Sequence, residues 1–144
     1  MFLTEKEIMG QHTALAETFQ YFLKKRSIIE AFFEQHRERK FLFLGCGSSY
    51  MLAKTGQRKF AACKDTAANA VAGGDYLVNK SFYEETVKGS IVVLLSRSGQ
   101  TTEIVESVKE IKEHYHNPVI SISAKDDNAV MTYSDLDLTL DWCY

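Results

Sequence analysis

The sequence predicts an α/β fold built on a doubly wound sheet, and three observations carry that prediction. Short continuous apolar runs, Phe41-Leu42-Phe43-Leu44, Ile91-Val92-Val93-Leu94-Leu95 and Val119-Ile120-Ser121-Ile122, have the character of strands buried on both faces. Segments with helical spacing precede and separate them. Turns rich in glycine and hydroxyl groups follow the first and third strands. Alternating strands and helices imply βαβ units joined by right-handed crossovers.

Taken in chain order, Thr4-Glu5-Lys6-Glu7 has the capping-box form. Ile8, His12, Leu15, Phe19 and Phe22 then recur at helical spacing and predict an amphipathic helix over about 5–25. Ser27-Ile28-Ile29-Glu30 repeats the capping-box form and predicts a second helix carrying Ile29, Phe32 and Phe33. Their aromatic stripe suits a core or a subunit interface. The period changes at Lys40, where the first strand begins. A helix follows over 50–62, a weaker strand over 68–71, and the third strand at Ile91. The next helix spans 101–116, with Ile104, Val108 and Ile111 on one face. The Val119 strand comes after it, and a last strand over 136–140. There is no internal repeat, low-complexity tract or linker.

The bulk numbers narrow the function. A chain of 144 residues, 45% hydrophobic and 25% charged, fits one domain with a real core. Its net charge of −2 gives no basic stripe for a nucleic-acid backbone, so no nucleic-acid partner is expected. Cys46, Cys63 and Cys143 are too few and too scattered for a disulfide framework or a zinc knuckle. A reduced, cytoplasmic setting is expected, with no metal and no cofactor. The N-terminus turns charged at once and has no apolar signal core. The longest apolar run has five residues, far short of the roughly 18 that span a membrane.

Ligands of doubly wound sheets bind beyond the carboxyl ends of the strands, near the switch in strand order. Two turns stand at such ends: Gly45-Cys46-Gly47-Ser48-Ser49-Tyr50, and Ser96-Arg97-Ser98-Gly99-Gln100-Thr101-Thr102, which opens a helix. In the second, a glycine permits a tight turn. The hydroxyls of Ser96, Ser98, Thr101 and Thr102 can donate to an anionic oxygen, and the helix adds free N–H groups and its positive dipole end. Four hydroxyls and no lysine describe a neutral phosphate cradle, with Arg97 either adding charge or pointing to solvent. Helix capping alone needs one such residue. The first turn is not a dinucleotide fingerprint: Gly45 and Gly47 fit, but Tyr50 stands where close helix packing needs glycine, although Asp65 lies near the spacing of a ribose-binding carboxylate. No Gly-Lys-Ser/Thr closes a Walker loop.

Together the two turns resemble those of the sugar isomerase (SIS) domain family, which pairs a G-x-G-[ST]-S-like turn after strand one with a later S-x-S-G-x-T turn. The 117–137 segment, a strand, a polar loop and Ser134-Asp135, also runs as the family does. The resemblance covers about residue 37 onward and implies a three-layer α/β/α sandwich. Its five-stranded parallel sheet would be flavodoxin-like, with N-terminal helices ahead of it. It divides the chain into a helical segment, 1–36, and a phosphosugar-binding domain, 37–144. By motif, Ser96, Ser98 and Thr101 would hold phosphate, with Arg97 and Gln100 supplying further contacts. Gly47, Ser48 and Ser49 would line the sugar from the first turn, with Ser49 reaching the phosphate or the sugar. The implied partner is a phosphorylated sugar or aminosugar, and the implied assembly a homo-oligomer, a dimer.

Within the family the chain is similar to the N-terminal SIS domain of two-SIS-domain ketose/aldose isomerases and aminosugar-phosphate deaminases. In those the proton-transferring glutamate follows the last strand, and a second SIS domain completes the site. This sequence ends at Asp141-Trp142-Cys143-Tyr144, so the expectation is a binding domain without its catalytic half and with an unfinished apolar interface at its end. Other bases are poorly placed. His12 is interfacial, His36 lies in a charged run, and His114 and His116 end a helix where they favour its dipole. Asp75 can approach a ligand or begin a helix, and Cys46 has no histidine evident to activate it. The catalytic residue is therefore unassigned. The alternatives are a non-catalytic sugar-phosphate sensor of a regulator and, less favoured by the sequence, a nucleotide-binding oxidoreductase module.

Overall fold

The two-sided apolar runs of the sequence form the centre of a parallel sheet. The structure, a computed structural model, describes residues 2–37, 40–63 and 65–143. Its strands are β1 (Lys40–Gly45), β2 (Ala67–Ala72), β3 (Ile91–Leu95), β4 (Val119–Ser123) and β5 (Leu136–Thr139). The helices are α1 (Leu3–Gln35), α2 (Ser48–Ala61), α3 (Gly73–Val78), α4 (Lys80–Val87) and α5 (Thr102–Tyr115). The strands lie in the order β2-β1-β3-β4-β5, all parallel, with Phe41 opposite Ile91 and Val93 opposite Ile120.

Alternation along each strand sends side chains to two cores. Leu42, Leu44, Val92 and Leu94 pack with Tyr76 of α3, Val87 of α4 and Ile104, Val108 and Ile111 of α5. On the other face Phe41, Phe43, Ile91 and Val93 pack with Ala53 of α2 and Phe32 of α1. The result is the expected three-layer sandwich. Each fully buried aliphatic side chain adds about 1.5–3 kcal/mol of transfer free energy. The order reverses between β1 and β3, which sit side by side while their following strands lie in opposite directions. The two glycine–hydroxyl turns therefore meet at the switch point.

Several elements differ from expectation. The N-terminal segment is one helix of 33 residues, not two. Tyr21, Phe22, Ile29 and Phe33 all pack on the same core, and that shared face carries the helix straight through Ser27. The Thr4 capping box does not form either, since the helix starts at Leu3 with Phe2 at the cap and no side-chain bond. The crossover from β2 to β3 holds two short helices, α3 and α4, that periodicity did not declare. Val78 and Phe82 there are apolar yet exposed, which blurs the stripe.

Asp65 sits in a left-handed turn before β2, at the amino end of that strand and so at the opposite end of the sheet from the two turns. That removes it as a ribose ligand. The apolar end of the sequence is in part internal structure. Trp142 lies in a short 3-10 turn, donates its indole N–H to Thr18 Oγ1 at 3.1 Å and meets the Tyr21 ring at 5.2 Å. Tyr144 lies outside the described residues. Among the described residues no helix is long and apolar enough to cross a membrane.

Candidate ligand-binding site

β1 ends at Gly45, and α2 begins so close to it that a Cβ there would come 2.6 Å from the Ser49 carbonyl. Gly47 then takes a left-handed φ of 56° and turns the chain into α2. The Ser49 and Tyr50 N–H groups close this turn on the Cys46 and Gly47 carbonyls, each at 3.1 Å. Ser48, the first residue of α2, is exposed, and Ser49 is half-buried.

The second turn leaves β3 at Ser96, whose N–H donates to the Ile122 carbonyl of β4. Ser96 is buried, and its Oγ accepts the Gly99 N–H at 3.2 Å and lies 3.3 Å from Thr101 Oγ1. Its hydroxyl oxygen thus helps to shape the turn by holding the Gly99 N–H. Ser98 Oγ accepts the Gln100 N–H at 3.2 Å and is half-buried, while Arg97 and Gln100 are exposed. Thr101 caps α5 with no side-chain bond to the helix, while its carbonyl accepts the Ile104 and Val105 N–H groups at 3.0 Å, so the Thr102 and Glu103 N–H groups are the ones without an intrahelical partner.

The two turns enclose a cleft of about 400 Å³ lined by Ser49, Arg97, Ser98 and Thr101. Four of the eight residues expected from the sequence thus share one surface. Gly47 shapes the first turn, Ser96 braces the second, and Ser48 and Gln100 are exposed on the two turns. Arg97 also borders a second cavity of about 390 Å³ formed with Glu7, Gly10, Gln11 and Ala14 of α1 and with Trp142 and Cys143. Its guanidinium stands 3.7 Å from the Glu7 carboxylate. Arg97 is therefore the wall between the cleft and α1.

Sequence reasoning missed two contributors. Glu7 sits ninety residues before Arg97 and carries no local signal. Asn128 lies under Gly99; its side-chain N–H donates to Ser123 Oγ at 3.1 Å and to the Lys125 carbonyl at 2.6 Å. The Gly99 carbonyl accepts the Val130 N–H at 3.1 Å, tying the β3 turn to the β4 loop. In the sequence Asn128 is one polar residue of a polar loop.

The other candidates are occupied elsewhere. Asp75 accepts from Asn79 at 2.7 Å and from the Tyr83 hydroxyl; these bonds, Tyr83 first, hold its carboxyl below the usual range. His36 caps α1 against Phe32, His114 Nδ1 lies 3.0 Å from the Glu110 carbonyl, and His116 is the left-handed cap of α5. Cys46 is half-buried against the core beside Gly73. Among the described residues no three His, Cys, Asp or Glu side chains group as metal ligands.

A family model described as the SIS domain matches residues 34–141. A glutamine–fructose-6-phosphate aminotransferase (isomerizing) of Neisseria meningitidis is 29% identical over 143 residues, covering 93% of this chain and 22% of that protein. The chain thus spans about a fifth of the length of the curated relatives it matches. Tagatose-6-phosphate ketose/aldose isomerase of Escherichia coli superposes with a TM-score of 0.82 at 22% identity, over 95% of this chain and 39% of that one. The Vibrio vulnificus NanR protein, complexed with ManNAc-6P, superposes at 0.68 with 16% identity, over 89% and 48%. At these identities the two structures establish a shared fold.

Proposed function

The chain belongs to the SIS domain family, and from that premise we propose that it binds a phosphorylated sugar or aminosugar with the phosphate in the 96–101 turn. The observation that supports this most is the cleft itself: Ser98, Thr101 and Ser49 hydroxyls beside the uncapped N-terminus of α5, at the switch point of the sheet. A phosphate there accepts from the N–H groups of the first turn of α5 and from the Ser98 and Thr101 hydroxyls. Each such bond to a charged group contributes about 1.5–3 kcal/mol. Arg97 adds a positive charge at the rim, and Ser49, with Gly47 and Ser48, faces the sugar. Similar proteins whose names carry fructose 6-phosphate, tagatose 6-phosphate or ManNAc-6P fit the same ligand class.

The chemistry we assign to the whole assembly is isomerisation or deamination of that sugar phosphate. Moving a proton between adjacent carbons needs a base within hydrogen-bond reach. The described residues that line the cleft, Ser49, Arg97, Ser98 and Thr101, offer hydroxyls and a guanidinium, so we assign binding to this unit and the base to another part of the assembly. We assign residues 37–144 to the phosphosugar-binding unit and α1 to assembly with a second copy. A reduced, cytoplasmic setting suits the three free cysteines.

Thermal denaturation with a panel of hexose and hexosamine phosphates, each beside its unphosphorylated sugar, tests the binding. A rise in melting temperature with one or more phosphates and with none of the parent sugars is expected. No shift with any sugar phosphate refutes the function.

A further inference from the structure

Arg97 borders three cavities, so the cleft at the 96–101 turn continues on either side of it. Beyond Ser49 lies a space of about 160 Å³ whose walls are mainly Leu52, Leu95, Ile122 and Leu140. The cavity of about 390 Å³ against α1 has walls of a different kind. Glu7, Gly10, Gln11 and Ala14 recur at helical spacing and share one face of α1. Thr18 continues that face and accepts the Trp142 indole N–H, which with the Tyr21 ring fixes Trp142 at the edge of the cavity. Gly10 stands within the helix, where glycine is a weak former. Apart from its own helical turn, no atom of the described residues lies within 4 Å of the place its Cβ would take. Neither helical backbone nor packing asks for a glycine there. What its missing side chain gives is room in the cavity.

We propose that the sugar of the bound ligand reaches past Arg97 into this cavity, and that α1 is the element that reads its hydroxyls. The inference rests on the phosphate being held in the 96–101 turn, as proposed above, and gives α1 a part in binding besides assembly. Its support is the chemistry of the walls. A sugar presents hydroxyls that both donate and accept, set around a surface of C–H groups. The Gln11 amide donates and accepts, the Glu7 carboxylate accepts, and the Arg97 guanidinium donates. Trp142 supplies an aromatic surface for the C–H groups. A few convergent polar groups beside an aromatic wall are the make-up of a small-molecule site. The space beyond Ser49, walled mainly by aliphatic side chains, offers hydroxyls less room and fewer partners. Arg97 joins the two parts of the site. It lines the phosphate cleft and stands 3.7 Å from Glu7, so one ligand can meet both.

Calorimetric titration of the full chain with inorganic phosphate, fructose 6-phosphate and glucosamine 6-phosphate tests this. The readout is the ratio of sugar-phosphate to phosphate affinity. The chain is expected to prefer at least one of the sugar phosphates by roughly tenfold or more, the worth of two or so hydrogen bonds. Gly10→Leu fills the cavity from an exposed helical position, so it should melt no lower than the chain yet lose most of that preference. Gln11→Ala should reduce the preference roughly fivefold, as one lost hydrogen bond does. An unchanged ratio in both variants would overturn the placement of the sugar and leave the phosphate turn standing. A chain that prefers neither sugar phosphate would overturn it as well, because nothing beyond the phosphate would then be held. Failure of the underlying reading looks different. Affinities for all three ligands that ignore Ser98→Ala/Thr101→Val would put the phosphate elsewhere, and the sugar with it.

Discussion

Gly99 and Asn128 are in such close contact that a Cβ on Gly99 would lie 2.1 Å from Asn128 Cγ. Gly99 also has a φ of 64°, in the left-handed region, so glycine is required there for two separate reasons. Gly99→Ala should destabilise the protein by about 2 kcal/mol or more, combining overpacking with backbone strain. Asn128→Gly in the same chain should recover the packing part alone. Chemical denaturation of the two single variants and the double variant checks this; strictly additive losses would contradict a shared contact.

Ser96 and Ser98 look alike in sequence but should behave differently. Ser96 is buried, and its hydroxyl holds the Gly99 N–H. Ser96→Ala should therefore reduce folding stability by about 1 kcal/mol, the usual value of a lost buried hydrogen bond. Ser98→Ala should change stability by less than about 0.5 kcal/mol. Equal melting temperatures for the two variants would contradict the division of labour.

The Glu7–Arg97 pair is exposed on both sides, so its loss should alter stability by no more than about 1 kcal/mol. Its effect on an anionic ligand should be plainer. Glu7→Gln removes a negative charge beside the cleft, so phosphate affinity should rise. Arg97→Ala should lower it. Calorimetric titration in low and high salt should show both differences shrinking as salt screens them. A drop in affinity for Glu7→Gln would mean that Glu7 holds Arg97 in its binding position.

Asp75 and Tyr83 form the pair with the plainest pH signature. The hydrogen bond to Asp75 pushes the Tyr83 phenol up to about 12, with burial adding to it, while the same bond lowers Asp75. The depressed carboxyl contributes stability above its unfolded value of about 4, lost as pH falls through the folded value. The raised phenol contributes stability below about pH 10, lost as pH rises toward 12. The melting-temperature gap between the chain and Tyr83→Phe should thus be widest from about pH 5 to 9 and narrow at both ends. A gap that does not vary with pH would contradict the pairing.

Much of the fold was legible because its signals are local. Continuous apolar strands at Phe41, Ile91 and Val119 follow from a sheet covered on both faces, and the glycine–hydroxyl turns are contiguous in the chain. What escaped depends on tertiary packing. Ser27 is capable of capping a helix, yet the face shared by Phe22, Ile29 and Phe33 carries α1 past it. Crossover helices α3 and α4 expose Val78 and Phe82, so no clean stripe marks them. At the site, Ser49, Arg97, Ser98 and Thr101 were recoverable as motif residues. Glu7 and Asn128 reach it only because α1 and the β4 loop fold onto the second turn. The burial of Ser96 is likewise invisible in a run of hydroxyls.

Calorimetric titration of a hexose phosphate that stabilises the chain, into the chain and into Ser98→Ala/Thr101→Val, tests the central claim most directly. Saturable binding by the chain is expected, weakened by roughly 2 kcal/mol or more in the double variant. The same affinity in both would show that the phosphate is held elsewhere and would contradict the assignment of the 96–101 turn.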